Sequence, residues 1–160
     1  QGLHSWRPDS SWTKSGNPLP YIPMKVPLKT IIGMIRGKKV SFRVSYEKGL
    51  KTAKNPESAT IRIEQINGPV FFVGGTDDQV WPAADFGDTI QKTLKQHNHP
   101  CECRRVEGAG HLVGMPFLPS AQSAGKLIFT CSDINLSSLA VIETWHGMMK
   151  FLERNLHPSE

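Results

Sequence analysis

The chain has 160 residues and a mass of 17.8 kDa, which is one domain's worth of polypeptide and excludes two full domains. Such a length can bury roughly 70% of the unfolded surface around one core. With 38% hydrophobic and 21% charged residues, the composition is globular and excludes disordered, collagen-like and coiled-coil chains. No apolar run approaches the ~20 residues that a membrane span needs, so we expect no membrane helix.

The net charge of +5 is distributed unevenly along the chain. Residues 1–54 hold 11 Lys and Arg against Asp9 and Glu47, about +9, whereas residues 55–160 hold 8 against 12 acids, about −4. Such a basic segment can be a solvated face, or it can attract nucleic acid, an anionic membrane or a phosphorylated small molecule. Its basic residues alternate with isoleucine and methionine rather than with aromatic side chains on which bases stack, so we expect no nucleic-acid partner.

Three cysteines make a poor disulfide framework, because their number is odd and Cys101 and Cys103 are one residue apart. The sequence therefore predicts reduced thiols in an intracellular compartment, the cytoplasm being the simplest choice. The first residues carry neither an initiator Met nor the basic and apolar regions of a signal peptide. We accordingly expect a sequence that starts partway along a longer chain.

The first part of the chain, residues 1–56, is predicted to be a loop-rich basic excursion. Residues 1–24 are rich in Pro, Ser and Gly and predict loop. Residues 28–54 mix short apolar runs with basic residues, and we expect an irregular, partly helical segment with a short helix over residues 46–54.

The second part, residues 57–160, is predicted to be an αβ core. Residues 61–64 alternate apolar and polar side chains as a strand does, and residues 69–75 form a continuous apolar run typical of a central parallel strand. A helix is expected from Pro82 to near His97, and a second strand over residues 101–106. A C-terminal amphipathic helix, capped by Asn135 or Ser137, has its apolar stripe at Leu139, Ile142, Trp145, Met149, Leu152 and Leu156. This order predicts an α/β fold with a parallel sheet flanked by helices.

Polar residues follow both strands at the sheet edge where α/β proteins bind ligands. Asp77 and Asp78 follow the first strand, and His111 lies in a Gly-flanked loop after the second. An acid and a histidine on successive strand ends can pair so that the carboxylate orients the imidazole as a general base. We choose Asp78 over Asp77 for its place at the strand exit. The plainer alternatives are that the acids cap the next helix and that the histidine is simply exposed.

Other candidate sites are weaker. His97, His99, Cys101 and Cys103 alternate as metal ligands on one strand face would, but zinc sites usually draw on two separated clusters and Pro100 interrupts this one. We therefore predict no metal site.

Several segments resemble the acyl-CoA thioester hydrolase and bile-acid-CoA:amino-acid N-acyltransferase family. Residues 61–82 (IRIEQINGPVFFVGGTDDQVWP) resemble its acid-bearing segment, residues 107–119 (EGAGHLVGMPFLP) its histidine loop, and residues 145–156 its closing helix. The resemblance implies the C-terminal portion of an α/β-hydrolase fold, with Asp78 as acid and His111 as base of a Ser/Cys-His-Asp triad. It also implies acyl-CoA as substrate and no separate cofactor. The phosphate groups of CoA would then suit the positive charge of residues 1–54.

The sequence departs from the family pattern at the nucleophile. No Gly-x-Ser-x-Gly turn or Cys variant of it occurs in the 160 residues. Cys101, Cys103 or Cys131 could be proposed instead, but none lies on a Gly-flanked turn. We therefore expect the nucleophile from a missing N-terminal half or a partner. The alternative is a non-catalytic interaction module that keeps a hydrolase remnant and self-associates through an unpaired strand edge.

Overall fold

The computed structural model describes residue 10, residues 12–113 and residues 134–156. The first part begins with a small antiparallel hairpin in which β1 (Thr13–Lys14) pairs with β2 (Asn17–Pro18). Two helices follow, α1 (Leu28–Ile35) and α2 (Arg43–Thr52). The segment predicted as irregular is thus more regular than expected.

Helix α2 begins three residues before the predicted start at residue 46, for a reason that lies far along the chain. The backbone N–H groups of Phe42 and Arg43 both donate to the carbonyl of Gln79, at 3.0 and 3.1 Å. This contact gives partners to two of the N–H groups that a helix start leaves unsatisfied. Local sequence holds no sign of it.

The strand pattern of residues 61–64 does not form a strand. A 3₁₀ turn occupies Ile63–Gln65, and Ile61 is 83% exposed, so no sheet face receives its side chain. The next apolar run does form the predicted strand, β3 (Val70–Gly75). It is followed by α3 (Ala83–Gln96) and by β4 (Cys101–Val106). Helix α3 ends next to His97, as predicted.

Strands β3 and β4 pair in parallel, from Val70 opposite Cys101 to Gly75 opposite Val106. Neighbouring residues of a strand point to opposite sheet faces, and each face here carries one helix. On one face Gly87 of α3 lies against the Phe72 ring, where even a Cβ would meet the ring at 2.7 Å. On the other, Phe151 packs on Phe71 with ring centroids 5.3 Å apart. The described core is therefore a three-layer αβα unit.

Helix α4 (Ile134–Leu156) provides the second of these helices. The predicted caps Asn135 and Ser137 lie inside it, so that part of the prediction is wrong. The predicted apolar stripe is only partly correct, since Leu139, Ile142 and Leu156 are more than half exposed whereas Trp145, Met149 and Leu152 are half-buried. The helix instead buries a stripe that includes small residues and allows a close approach to the sheet; its members are Ala140, Val141, Thr144, Gly147 and Phe151.

An ion pair links α4 to β4, since Arg154 of the helix donates to Glu102 Oε2 at 2.7 Å. Within the sheet, Arg104 lies over the Phe71 ring at 5.7 Å. Hydrogen bonds from Arg104 and then Arg154 hold the pKa of Glu102 below its usual range. None of the described helices is long and apolar enough to cross a membrane.

We expect Gly75→Ala to destabilise the fold, because a Cβ at this position would lie 2.1 Å from the backbone carbonyl oxygen of Ala109. Overpacking of this kind costs about 1–3 kcal/mol, measurable as a lower urea midpoint.

Gly147→Ala is the matched control for this substitution. The atoms nearest its Cβ would be those of the Arg104 guanidinium, the far end of a flexible side chain, which can shift at the small cost of its partly exposed contact with Glu102. Alanine also favours a helix interior. The control should unfold near the parent midpoint. Equal midpoints for Gly75→Ala and the parent would contradict the close backbone packing.

Candidate active site

Asp78 is the most buried acid at the sheet edge, with 2% of its side chain exposed. It lies in the loop after β3, and its Oδ1 accepts hydrogen bonds from the backbone N–H groups of Val80 at 2.8 Å and Trp81 at 3.1 Å. These two bonds fix the carboxylate orientation and offset the cost of burying it. They leave Oδ2 for another donor.

His111 supplies that donor from the loop after β4. Its Nδ1 lies 3.0 Å from Asp78 Oδ2. Because a carboxylate only accepts hydrogen bonds, Nδ1 carries the proton in this contact and the lone pair of the neutral ring is on Nε2. The imidazole is one-fifth exposed, so it is held by a buried acid without being sealed off.

An aromatic side chain holds the other side of the imidazole. Trp81 meets the His111 ring edge to face, with centroids 4.4 Å apart and an 83° angle between the planes. Tyr46 of α2 meets Trp81 in turn, at 6.2 Å and 84°. The imidazole is thus fixed by a hydrogen bond and by an aromatic contact, which together restrict its rotation.

Backbone contacts join the acid loop to the histidine loop. The Thr76 hydroxyl accepts from the Gly108 N–H at 2.9 Å, and the Thr76 N–H donates to the Val106 carbonyl at 3.0 Å. The Asp77 N–H donates to the Ala109 carbonyl at 2.9 Å. The distance between Asp78 and His111 is therefore set by the backbone as well as by their own contact.

Arg43 ties the acid loop to the first part of the chain. Its Nη1 donates to the carbonyls of Thr76 at 3.0 Å and Asp78 at 3.4 Å. Its other nitrogens form ion pairs with Glu47 at 2.8 Å and Asp85 at 3.2 Å. One guanidinium thereby connects α2, the acid loop and the start of α3.

The structure distinguishes the two candidate acids by their contacts. Asp77 Oδ1 accepts from the Gln79 side chain at 2.8 Å, whereas Asp78 meets the imidazole. The sequence hypothesis missed Trp81 and Arg43. Trp81 had a local signal, since it lies three residues from Asp78, but Arg43 is 35 residues away and had none.

The weaker candidates occupy other positions. His99 is half-buried, and its two ring nitrogens lie 3.2 Å from the Pro100 carbonyl and 2.8 Å from the Ile66 carbonyl. Burial, with the neighbouring Cys101, raises the pKa of the Cys103 thiol to about 11. Cys131 lies outside the described residues. Within the described ranges no group of three or more His, Cys, Asp or Glu side chains could hold a metal ion.

Comparison with known proteins gives two relatives of low identity. The chain is 24% identical over 109 residues to the peroxisomal succinyl-coenzyme A thioesterase of Mus musculus, a match that covers 64% of this chain and 25% of that protein. It is 22% identical over 152 residues to acyl-coenzyme A thioesterase 6 of Homo sapiens, covering 88% of this chain and 35% of the relative. The chain thus spans between a quarter and about a third of the curated relatives it matches.

The family model that describes the C-terminal part of BAAT and acyl-CoA thioester hydrolases matches residues 19–158, which is most of the chain and includes both Asp78 and His111. The mixed α/β unit with a parallel sheet is compatible with that part of an α/β-hydrolase. The chain therefore belongs to the BAAT/acyl-CoA thioester hydrolase family and corresponds to its C-terminal region.

Proposed function

We propose that this chain supplies the acid and the general base of an acyl-CoA thioesterase or acyltransferase with an α/β-hydrolase fold. Asp78 is the acid, His111 is the base, and the nucleophile is a Ser or Cys outside this sequence. The hydrogen bond between Asp78 Oδ2 and His111 Nδ1, at 3.0 Å, carries the proposal. Family membership supplies the reaction class.

The geometry suits the proton transfers of acyl transfer. His111 Nε2 takes the proton of the Ser or Cys as that atom bonds to the thioester carbonyl carbon. The C–S bond then breaks, and the imidazolium returns the proton to the CoA sulfur. In the second half-reaction the same nitrogen takes a proton from water or from an amine as its oxygen or nitrogen bonds to the acyl carbon. The bond from the acyl carbon to the Ser or Cys then breaks, and the imidazolium returns the proton to that side chain.

Asp78 keeps the imidazole in the productive tautomer and stabilises its positive charge between these transfers. Burial strengthens this interaction, because little water competes for the carboxylate. Trp81 and Arg43 act as positioning residues, Trp81 on the imidazole directly and Arg43 through the acid loop. Neither needs to contact the substrate.

The nucleophile requires further strands. Among the described residues β3 pairs only with β4, so its other edge is open to a further parallel strand. In the α/β-hydrolase order the nucleophile precedes the acid and the histidine. A nucleophile-bearing segment placed on the open edge of β3 would complete both the sheet and the triad. The free thiols of Cys101 and Cys103 support an intracellular setting for the assembly.

A chimera tests the roles of the two acids directly. In it, this chain replaces the matching segment of the mouse succinyl-coenzyme A thioesterase, and hydrolysis of succinyl-CoA is followed. Asp78→Asn should lower kcat by about 10³–10⁴-fold with little change in KM, because the acid orients the base without touching substrate. His111→Ala should be at least as damaging.

Asp77→Asn is the matched control, one residue away and bonded to Gln79 instead of His111. It should retain most of the activity of the parent chimera. The 160-residue chain outside the chimera gives a second readout, ¹⁵N NMR of the His111 imidazole. The spectrum should show the Nδ1–H tautomer in the parent and in Asp77→Asn, and this tautomer should no longer predominate in Asp78→Asn. Similar losses for both variants would contradict the assignment.

The chain by itself should show no saturable hydrolysis of long-chain acyl-CoA, because its sequence contains no nucleophile turn. Thiol release from palmitoyl-CoA and from succinyl-CoA measures this, with the thioesterase chimera acting on succinyl-CoA as positive control for the assay. Turnover by the chain alone that disappears in His111→Ala would overturn the proposal of an external nucleophile.

Cys103 should be a poor nucleophile. With a pKa near 11 instead of 9.0, its thiol holds about a hundredfold less thiolate at neutral pH, and the thiolate is the reactive form. Alkylation by iodoacetamide, followed at Cys103 by peptide mass spectrometry, should be slow at pH 7 and accelerate until the pH passes about 11. The same site in the urea-unfolded chain is the control. Rapid alkylation of Cys103 in the native chain at pH 7 would contradict this prediction and make Cys103 a candidate nucleophile.

A further inference from the structure

Helix α1 presents its apolar side chains to the outside. Leu28, Ile31, Ile32 and Ile35 are spaced so that they share one helix face, and they are 70%, 42%, 38% and 80% exposed. Thr30 is buried, and the Gly33 position contacts Val40, where a Cβ would lie 3.0 Å from Cγ1. At 100° per residue, Thr30 and Gly33 lie opposite the apolar stripe.

This arrangement reverses the usual amphipathic helix, in which the apolar stripe faces the core and polar residues face water. Thr30 and Gly33 lie on the inner face of α1, while four large aliphatic side chains are exposed, Leu28 and Ile35 to 70% and 80%. A contiguous apolar patch of this kind marks an interaction site. We define this patch, together with the basic residues around it, as the α1 surface.

The charge around the stripe is wholly positive. Lys29 lies beside it on the helix, and Lys25, Arg36, Lys38 and Lys39 lie just beyond the two helix ends. All five are exposed, and none of them forms an ion pair within the described part of the chain. No acidic residue occurs between Asp9 and Glu47. The partner of this surface must therefore be both apolar and anionic.

We propose that the α1 surface docks the protein on an anionic lipid membrane. The helix lies in the interfacial plane, with its aliphatic stripe ~5–10 Å deep at the headgroup and acyl boundary and its basic residues among the lipid phosphates. An aliphatic stripe on the outer face of a helix suits a bilayer, whereas a single acyl chain needs a concave pocket. This inference is independent of the proposed acyl-transfer chemistry.

A second copy of the chain fits the α1 surface poorly. A twofold contact would set the same patch against itself and bring five cations of one copy against five of the other. Eight helical residues are ~12 Å long, and so small a contact falls well below the ~800 Å² per partner of a stable interface. A bilayer of anionic lipids avoids the repulsion between cations, and its attraction for the five basic residues adds to the small apolar area.

The test is co-sedimentation of the chain with vesicles of equal parts phosphatidylcholine and phosphatidylserine. We expect binding that falls with added NaCl and that is weak on pure phosphatidylcholine. Leu28→Ser with Ile35→Ser should weaken binding by more than about tenfold, because two large aliphatic side chains no longer leave water. Lys29→Glu with Arg36→Glu should weaken it by about 25-fold or more, at about fivefold for each cation lost.

Two control variants distinguish binding through the α1 surface from non-specific adsorption to vesicles. Ile61→Ser removes an aliphatic side chain that is 83% exposed but lies outside α1, and Lys150→Glu reverses an exposed charge on α4. Both should bind vesicles like the parent, and circular dichroism should show all variants folded. Absence of vesicle binding, or binding unaffected by the α1 variants, would overturn the proposal. Concentration-dependent dimers that disappear in Leu28→Ser with Ile35→Ser would also overturn it, in favour of a protein interface.

Discussion

The candidate site depends on the close approach of two backbones at the end of the parallel strand pair. Gly75 lies so near Ala109 that no side chain fits between them, and the neighbouring Thr76 and Asp77 bond to the backbone of the histidine loop. Parallel pairing brings the carboxyl ends of both strands to one edge, but pairing alone leaves the two loops free to diverge. The missing side chain and the three hydrogen bonds remove that freedom, so a buried acid on one loop meets a histidine on the other.

Asp78 shows that a structural role and a chemical role can share one side chain. One explanation for an acid at this position is that it satisfies backbone N–H groups before the next helix, and Oδ1 does so with Val80 and Trp81. The other explanation is that it orients an imidazole, and Oδ2 lies where that requires. The two are not alternatives, because a carboxylate has two oxygens. The bonds to Val80 and Trp81 fix the plane of the carboxylate and so set the direction in which Oδ2 meets His111.

Local patterns predicted β3, α3 and β4 because each has a strong period and clear end signals, and the order of these elements placed the acid and histidine loops side by side. The predictions that were wrong failed because contacts between distant parts of the chain override the local pattern. Helix α2 starts early because Gln79, far along the chain, accepts from its first N–H groups. Helix α4 packs most deeply through small residues such as Ala140, Thr144 and Gly147, because close approach to the sheet requires small residues. The role of Arg43 could not be predicted from the sequence, because the carbonyls to which it donates come close to it only in the folded chain.

Two groups of basic residues in the first part of the chain have different surroundings. Arg43 is mostly buried and satisfied by Glu47, Asp85 and the acid-loop carbonyls, so it belongs to the architecture of the site. The five basic residues around α1 have no such partners within the described ranges and accompany an outward-facing aliphatic stripe. A solvated face would need the charges but not the aliphatic side chains, and a phosphate cradle would need the charges turned inward. Only a partner that is apolar and anionic at once uses both features, and a lipid interface has that chemistry.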